Sequence, residues 1–137
     1  MLSIGQLARG SGVKVPTIRY YEKMGLLEAP DRSSGNQRRY EPGALKRLTF
    51  IKHARDLGLK IDAIRELIEL SLDPQKPCAE ADRIAKEHLS EVRGKIARLK
   101  RLEKELQRIA SRCHGERIGE CYVIQALSDH GLCSDEH

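Results

Sequence analysis

The spacing of apolar residues predicts two short helices at the start of the chain. Three apolar residues set the i, i+3, i+4 spacing of the first helix, namely Ile4, Leu7 and Ala8. Ser3 is placed to cap this helix, and residues 10–12, which include two glycines, end it. Pro16 suits the first turn of a second helix, which ends at Gly25. Two short helices joined by a tight glycine-bearing turn are typical of a helix-turn-helix.

A basic segment follows the two helices. Ser-Ser-Gly-Asn at residues 33–36 is a turn signal, and arginines flank it on both sides. This pattern predicts a two-stranded hairpin, a wing, in which the arginines neutralise phosphate charge and Asn36 donates a hydrogen bond at the turn. A solvated loop is the alternative. The flanking arginines are Arg32, Arg38 and Arg39.

The second half of the chain has the pattern of one long helix. After a break at residues 73–77, apolar residues recur at spacings of four and three, and charged residues cover most other positions. So narrow a stripe predicts a dimerisation helix over residues 78–112, in a two-stranded coiled coil. Glu103 interrupts the stripe once, and periodicity alone leaves parallel and antiparallel pairing open. The stripe residues are Ala85, Leu89, Val92, Ile96, Leu99, Leu106 and Ala110.

Composition narrows the class of protein. The 137 residues include no Trp, aromatic residues make up 4% and charged residues 33%, which suits a helical protein with much solvated surface. Apolar runs are far shorter than the ~20 residues of a membrane span, so we expect a cytoplasmic protein with no membrane partner. We expect no enzyme, because the sequence lacks a Gly-rich phosphate loop and a nucleophile–base motif. The four cysteines are expected to be ligands or buried thiols rather than disulfides.

Positive charge is concentrated in the first part of the chain. Residues 1–56 contain eleven Lys and Arg residues against five Asp and Glu residues, a net charge of +6, whereas the remainder is close to neutral. This asymmetry indicates a polyanionic partner, and double-stranded DNA is the natural one beside a helix-turn-helix. Ordinary solvated surface charge is the alternative.

Three cysteines suggest a metal site shared between chains. Cys78 and Cys113 are five heptads apart, so on one continuous helix they would face the same way at a distance of roughly 50 Å. One chain therefore cannot place both thiols on the same ion, whereas two antiparallel chains can. Cys121 follows Cys113 after a spacer of seven residues, and the two glycines in that spacer allow a tight loop.

The chemistry of these side chains limits the ion. Thiolates select soft or borderline cations such as Zn(II), Cd(II), Hg(II), Pb(II) or Cu(I). His114 is a candidate fourth ligand that would suit tetrahedral zinc, with an exposed loop histidine as the alternative. Residues 122–127 have the pattern of a short amphipathic helix that closes over the loop. A regulator that senses oxidation of Cys113 and Cys121, without a metal, is the alternative function.

Ordered motifs at fixed spacing run along the chain. They are Ile4-Gly5-Gln6-Leu7-Ala8, Thr17-Ile18-Arg19-Tyr20-Tyr21-Glu22, Gly25-Leu26-Leu27, Arg32-x-x-Gly35-Asn36-x-Arg38-x-Tyr40, Leu48-x-Phe50-Ile51 and Leu57-Gly58-x-x-Ile61-x-x-Ile64. Together they closely resemble the MerR family of transcription regulators. The resemblance covers essentially the whole ordered chain.

The resemblance implies a mainly α fold. Residues 1–72 are expected to form a winged helix-turn-helix DNA-binding domain with two additional helices, at roughly 43–56 and 61–71. Three parts are expected to follow: an antiparallel dimerisation helix at 78–112, a metal-binding loop with a short helix at 113–129, and a flexible tail at 130–137.

The resemblance also implies contacts with DNA, mostly with its backbone. Arginine gives charge-assisted contacts to phosphate, and tyrosine offers an amphipathic ring with a hydroxyl donor. Tyr21 is equally consistent with a place in the core. The residues implied to contact DNA are Thr17, Arg19, Tyr20, Arg32 and Arg39. Further candidates are Lys14, Asn36, Arg38, Tyr40 and Lys60.

Within the family, the metal loop lies at Cys113 and Cys121, and Cys78 of the partner subunit completes the site. Sensors of monovalent copper-type ions carry Ser at the position of Cys78, and a third thiolate favours a +2 ion. We therefore expect a divalent Zn, Cd, Pb or Hg effector, with a Cu(I)-type sensor as the alternative.

The resemblance also implies how the metal signal is used. The homodimer without metal would repress a pseudo-palindromic promoter, and the metal-bound dimer would distort that DNA so that RNA polymerase initiates. The controlled genes would serve metal efflux or resistance.

Overall fold

Two compact units make up the chain. The computed structural model describes residues 1–28, 30–32, 38–112 and 117–129, with the backbone alone at positions 31, 32 and 38. The units are Met1–Ile84 and Ala85–His137. Helices dominate both, which confirms the mainly α class predicted from the sequence.

The first helix, α1, spans Ile4–Ser11 and begins with a capping box. The amide of Gln6 donates to Ser3 Oγ (3.1 Å), and the amide of Ser3 donates to Gln6 Oε1 (2.8 Å), so two otherwise orphaned amides are satisfied. The helix ends within the predicted break at residues 10–12, and the hydroxyl of its last residue, Ser11, donates to the Leu7 carbonyl (2.7 Å). It ends at Gly12, which has a φ of 73° that favours glycine.

The second helix, α2, spans Val15–Lys23 and carries Pro16 in its first turn, as predicted. Gly25 follows it with a φ of 77°, and its amide donates to the Glu22 carbonyl (3.0 Å). The predicted end of this helix at Gly25 is therefore confirmed, and the left-handed residue turns the chain back towards the core.

A small antiparallel hairpin follows, in agreement with the predicted wing. Strand β1 is Asp31–Arg32 and strand β2 is Arg38–Arg39, with Asp31 opposite Arg39 and Arg32 opposite Arg38. Tyr40 extends the pairing by forming a bridge with Leu2, through two backbone hydrogen bonds of 2.8 and 2.9 Å. The wing is thereby attached to the N-terminal segment of the chain.

Two further helices follow the wing. Helix α3 spans Gly43–Asp56 and helix α4 spans Ile61–Ser71, which confirms both predicted helices. One hydrophobic core joins these helices to α1, α2 and the wing. The fully buried side chains in it are Leu7, Ile18, Leu26, Tyr40, Leu48, Ile51 and Ile64.

The long helix α5 spans Ala79–Ser111, one residue shorter at each end than predicted. Its beginning belongs to the first unit, because Ile84 is buried in that core and Arg83 forms an ion pair with Glu66 of α4 (3.2 Å). The compact unit therefore extends past residue 72. Gly94 does not interrupt the helix.

Much of α5 in the second unit presents apolar side chains to solvent. We call the exposed leucines and isoleucine the α5 stripe: Leu89 (45% exposed), Ile96 (47%), Leu99 (63%) and Leu106 (64%). So much exposed leucine on one helix is typical of an interaction surface.

A short 3₁₀ turn, Ile118–Glu120, and a last helix α6, Tyr122–Ser128, complete the second unit. Helix α6 confirms the short helix predicted at residues 122–127. The buried residues of this unit, within the described part of the chain, are Glu105, Ile109 and Ala126.

Among the described residues, no helix combines the length and apolar character that crossing a membrane requires.

Candidate DNA interface and metal centre

Helix α2 has one face in the core and one face towards solvent. Ile18 is fully buried and Tyr21 is 6% exposed, so Tyr21 is a core residue rather than a DNA contact. Arg19 and Tyr20 are exposed on the other face, with the Tyr20 side chain at 47%. The rings of Tyr20 and Tyr21 lie 5.9 Å apart at 52°, which restrains the exposed tyrosine against the buried one.

The residues that precede this face are also accessible. Lys14, at the N-cap position of α2, is exposed, and Thr17 in the first turn is half-buried. Together with Arg19 and Tyr20 they give the solvent-facing surface of α2 hydroxyl and cationic groups. This surface has the chemistry of a phosphate-binding face, and the individual DNA contacts remain predictions.

The C-terminal end of α2 is fixed by a neighbouring helix. Arg65 of α4 donates through Nη2 to the Met24 carbonyl (2.6 Å), and its Nη1 donates to Asp62 (2.8 Å). A cation at the C-terminus of a helix satisfies an orphaned carbonyl and complements the helix dipole. Helix α2 is therefore held both at its core face and at its end.

Tyr40 requires a correction to the set of candidate DNA contacts. Its side chain is 1% exposed, and its hydroxyl donates a hydrogen bond to Glu22 of α2. So deeply buried a side chain cannot reach a phosphate, and the prediction that Tyr40 contacts DNA is wrong. Its position shows a different role, which is to join the base of the wing to α2.

The other candidate contacts differ in how far the structure describes them. Arg39 is half-buried at the end of β2, and Lys60 is exposed at the N-cap position of α4. Asn36 and the side chains of Arg32 and Arg38 lie outside the described residues.

An open pocket of about 330 Å³ lies between the base of the wing and the start of α3. Two cations and two carboxylates line it, Arg39, Arg47, Glu28 and Glu41. Sequence reasoning did not single out Arg47, although the count of cations in residues 1–56 included it.

The predicted metal ligands lie at well-defined places in the chain. Cys78 is exposed and precedes the first residue of α5, and its carbonyl accepts from the Asp82 amide (2.9 Å). Cys121 is partly buried at the N-cap position of α6, where its carbonyl accepts from the Gln125 amide (3.1 Å). Cys113 and His114 lie outside the described residues, as does the tail at 130–137.

The donor set fits a soft ion. The exposed Cys78 and the partly buried Cys121, which occupies the N-cap position of α6, are both placed on defined backbone rather than inside an apolar core. Among the described residues no three Cys, His, Asp or Glu side chains form a group that could hold a metal.

The end of α5 and the start of α6 are joined by a polar cluster that sequence reasoning missed. Arg108 donates to both carboxylate oxygens of Glu105, which is 5% exposed, and through Nη1 to the Tyr122 hydroxyl (2.5 Å). The guanidinium carbons of Arg108 and Arg112 lie 5.7 and 5.3 Å from the centre of the Tyr122 ring. We call these four residues the Tyr122 clasp.

The Tyr122 clasp also stabilises the positive charge of Arg108. The hydrogen bond to Glu105, and then the one to Tyr122, raise the pKa of Arg108 above its usual value. Arg108 therefore stays cationic, and the buried Glu105 carboxylate always has a charged partner. The only signal for the clasp in the sequence is a tyrosine directly after Cys121, in a chain with just four tyrosines.

Comparison with known proteins identifies the family. Residues 2–71 match the family described as "MerR HTH family regulatory protein", and residues 45–109 match "MerR, DNA binding". The HTH-type transcriptional regulator ZntR of Escherichia coli (strain K12) is 40% identical over 130 residues, which cover 93% of this chain and 92% of that protein. The chain belongs to the MerR family. MerR proteins of this kind are transcription regulators and not enzymes.

Two further relatives have a metal in their names. The mercuric resistance operon regulatory protein of Shigella flexneri is 41% identical over 127 residues, covering 92% of this chain and 87% of that protein. The crystal structure of PbrR691 from Ralstonia metallidurans CH34 in complex with lead(II) matches this chain with a TM-score of 0.81 and a sequence identity of 36%. The match covers 93% of this chain and 99% of that chain. The helix-turn-helix and long-helix architecture described above is thus that of a MerR regulator.

Proposed function

We propose that this chain is a homodimeric, metal-responsive MerR regulator that represses its promoter without metal and activates transcription when a divalent soft ion binds. Activation occurs by distortion of the promoter DNA, and the controlled genes serve metal efflux or resistance. The observation that carries the proposal is the position of the thiols at the two ends of one unbroken helix. Cys78 directly precedes α5, and Cys113 follows its last residue, Ser111, by two positions.

The length of α5 supports a site shared between chains. Its 33 residues rise by ~1.5 Å each, so the helix is roughly 50 Å long and its two ends cannot meet on one ion. A second copy that runs antiparallel along the α5 stripe would place Cys78 of the partner subunit beside Cys113 and Cys121. The exposed leucines of the stripe support such a pairing.

Three thiolates favour a divalent ion. Their combined negative charge is better balanced by a +2 cation than by Cu(I), and Zn, Cd, Pb and Hg all accept thiolate ligands. Two relatives have divalent soft ions in their names, the lead(II) complex of PbrR691 and the mercuric resistance regulator. These names support a divalent effector for this chain.

The exposed face of α2 supports the DNA-binding half of the proposal. Each protomer would place α2 and its wing on one half-site of a pseudo-palindromic promoter, in the cytoplasm, where RNA polymerase is the further partner. An ion changes transcription only if it binds one conformation of the dimer better than another. The metal-bound conformer is proposed to be the one that distorts the DNA between the half-sites.

Transcription in vitro from the native promoter, titrated with Zn(II), Cd(II), Pb(II), Hg(II) and Cu(I), tests the proposal. We expect divalent ions to raise the yield of transcript while the promoter stays occupied with and without metal. Activation by Cu(I) alone would instead support the copper-type sensor. Activation by a thiol oxidant in the absence of metal, with a disulfide formed, would support redox sensing.

Replacement of Arg19 by alanine is expected to weaken promoter binding at least about tenfold, because a charge-assisted phosphate contact is worth ~1.5–3 kcal/mol. The dimer has two copies, so the slope of log K against log salt should fall by about two. Binding to the promoter fragment over a range of salt concentrations measures both quantities. Lys76→Ala removes one exposed cation outside the helices and serves as the control. Equal losses in the two variants would show that Arg19 acts only through net charge.

A further inference from the structure

We infer that the middle of α5 is a second DNA-binding surface, which contacts the phosphate backbone of a duplex without reading its sequence. Residues 93–104 contain six Lys and Arg residues and a single acidic residue, Glu103, which gives a net charge of +5. We call this stretch of α5 the basic segment. The near-neutral net charge of residues 57–137 conceals it. Its cations are Arg93, Lys95, Arg98, Lys100, Arg101 and Lys104.

The cations of the basic segment are accessible and unpaired within the part of the chain that the structure describes. All six side chains are exposed, and none of them forms an ion pair or a side-chain hydrogen bond with another described residue. Other cations of the same helix do have acidic partners. Arg83 pairs with Glu80 (3.1 Å), and Arg108 pairs with Glu105. The basic segment therefore carries positive charge that this chain does not neutralise.

The arrangement of these cations fits a long polyanion better than a small anion. Arg98, Arg101 and Lys104 follow one another at intervals of three residues, so neighbouring side chains lie close together and repel each other. The segment extends over roughly 17 Å of helix. Side chains that project from one helix diverge, whereas the donors that bind a small anion converge. A DNA duplex carries about ten negative charges over the same length, one per ~1.7 Å, and would relieve the repulsion.

The outermost cations lie away from the proposed dimer surface. At 100° per residue, Arg101 lies opposite the mean direction of the α5 stripe, and Arg98 lies about 130° from that direction. A second chain that packs along the stripe would leave both arginines accessible. Their charge can therefore be changed without changing the residues of the stripe.

Symmetry favours DNA over an acidic protein as the partner, and this step rests on the proposed function. The basic segment lies near the middle of α5, so an antiparallel dimer would place two copies of it side by side at the two-fold axis. On a pseudo-palindromic promoter the same axis passes between the two half-sites. The dimer would thus present its largest concentration of unpaired charge on the axis that it shares with the duplex.

Promoter binding by the full-length protein without metal, over a range of salt concentrations, tests the inference. Arg98→Gln/Arg101→Gln removes two cations from each chain, and glutamine has nearly the helix propensity of arginine. We expect at least about tenfold weaker binding. The slope of log K against log salt should fall by about two to four, because each phosphate contact contributes ~0.9. Arg98→Lys/Arg101→Lys keeps the charge and should have the slope of the unaltered protein.

Lys76→Gln/Arg117→Gln is the matched control, because it removes two exposed cations per chain outside the basic segment. Its slope should equal that of the unaltered protein. A duplex without the promoter sequence is bound in a second series, where we expect the same difference between the two variants, since backbone contacts do not read sequence. Circular dichroism and sedimentation equilibrium verify that each variant is a folded dimer. If the double variant does not fold, Lys104→Gln takes its place, with an expected fall in slope of about one to two.

Each outcome decides for or against the DNA contact. A lower slope in Arg98→Gln/Arg101→Gln on both duplexes, with the control unchanged, supports it. Equal slopes in all proteins overturn it, and so do equal losses in the variant and the control, which would show an effect of net charge alone. Unchanged DNA binding with a lower yield of transcript would overturn it in favour of an acidic surface of RNA polymerase. A protein that binds the promoter but does not respond to metal contradicts the proposed function, whereas the salt slopes, measured without metal, still decide the inference.

Discussion

A mixed dimer of one Cys78→Ser chain and one Cys121→Ser chain is expected to bind one Cd(II) tightly, although neither altered homodimer does. In the mixed dimer one site keeps all its ligands, because Cys113 and Cys121 of the first chain meet Cys78 of the second. Each altered homodimer lacks one thiolate in both of its sites. Its loss of affinity should exceed the ~10–100-fold typical of changes outside the ligand shell.

Two affinity tags on co-expressed chains allow the mixed dimer to be purified, and the metal content and binding curve are then measured. Cys133→Ser removes a thiol in the predicted tail and should bind like the unaltered protein, which controls for the loss of any cysteine. A mixed dimer without a tight site would show that the ligands come from a single chain, and the cross-chain site would be wrong.

Replacement of Leu99 by glutamate is expected to convert the dimer to monomers and thereby remove specific promoter binding. Leu99 is 63% exposed in the single chain and lies in the middle of the α5 stripe. Burying an unpaired carboxylate in an interface costs several kcal/mol per ion, and both protomers carry the change. We expect the dimer dissociation constant to rise by at least about 100-fold, since each 1.4 kcal/mol is tenfold.

Sedimentation equilibrium and promoter binding on the same samples measure the two effects. Ala97→Glu adds the same charge two positions away, on the outward face of the coiled-coil pattern, and should stay dimeric. A monomeric Ala97→Glu variant would mean that charge alone, rather than the stripe, controls assembly. A dimeric Leu99→Glu variant would place the dimer interface elsewhere.

Most of the fold could be predicted from the sequence, because short sequence signals determine where its helices begin and end. The N-cap at Ser3, the proline in the first turn of α2 and the end of that helix at Gly25 are signals of a few residues, and each is found where it was predicted. The end of α1 also lies within the predicted break at residues 10–12, because Ser11 is its last residue and Gly12 its C-cap.

The candidate site was harder to predict from the sequence, because the positions of its side chains depend on contacts between segments that are far apart in the chain. Tyr40 lies within an arginine-rich motif and was predicted to contact DNA, yet its burial and its hydrogen bond to Glu22 of α2 make it a core residue. The Tyr122 clasp needs α6 to fold back on the end of α5, and no spacing rule predicts that. The ligand set itself, at Cys78, Cys113 and Cys121, remains a prediction.

Tyr40 fixes the separation between α2 and the wing. Its buried ring and its hydrogen bond to Glu22 join the base of the wing to α2, so the two elements that are predicted to face DNA cannot separate freely. A DNA duplex whose local groove width matches this separation would be bound without strain. A duplex that does not match it must bend or twist to fit. Operator choice is then expected to depend on the stiffness of base steps that no side chain touches.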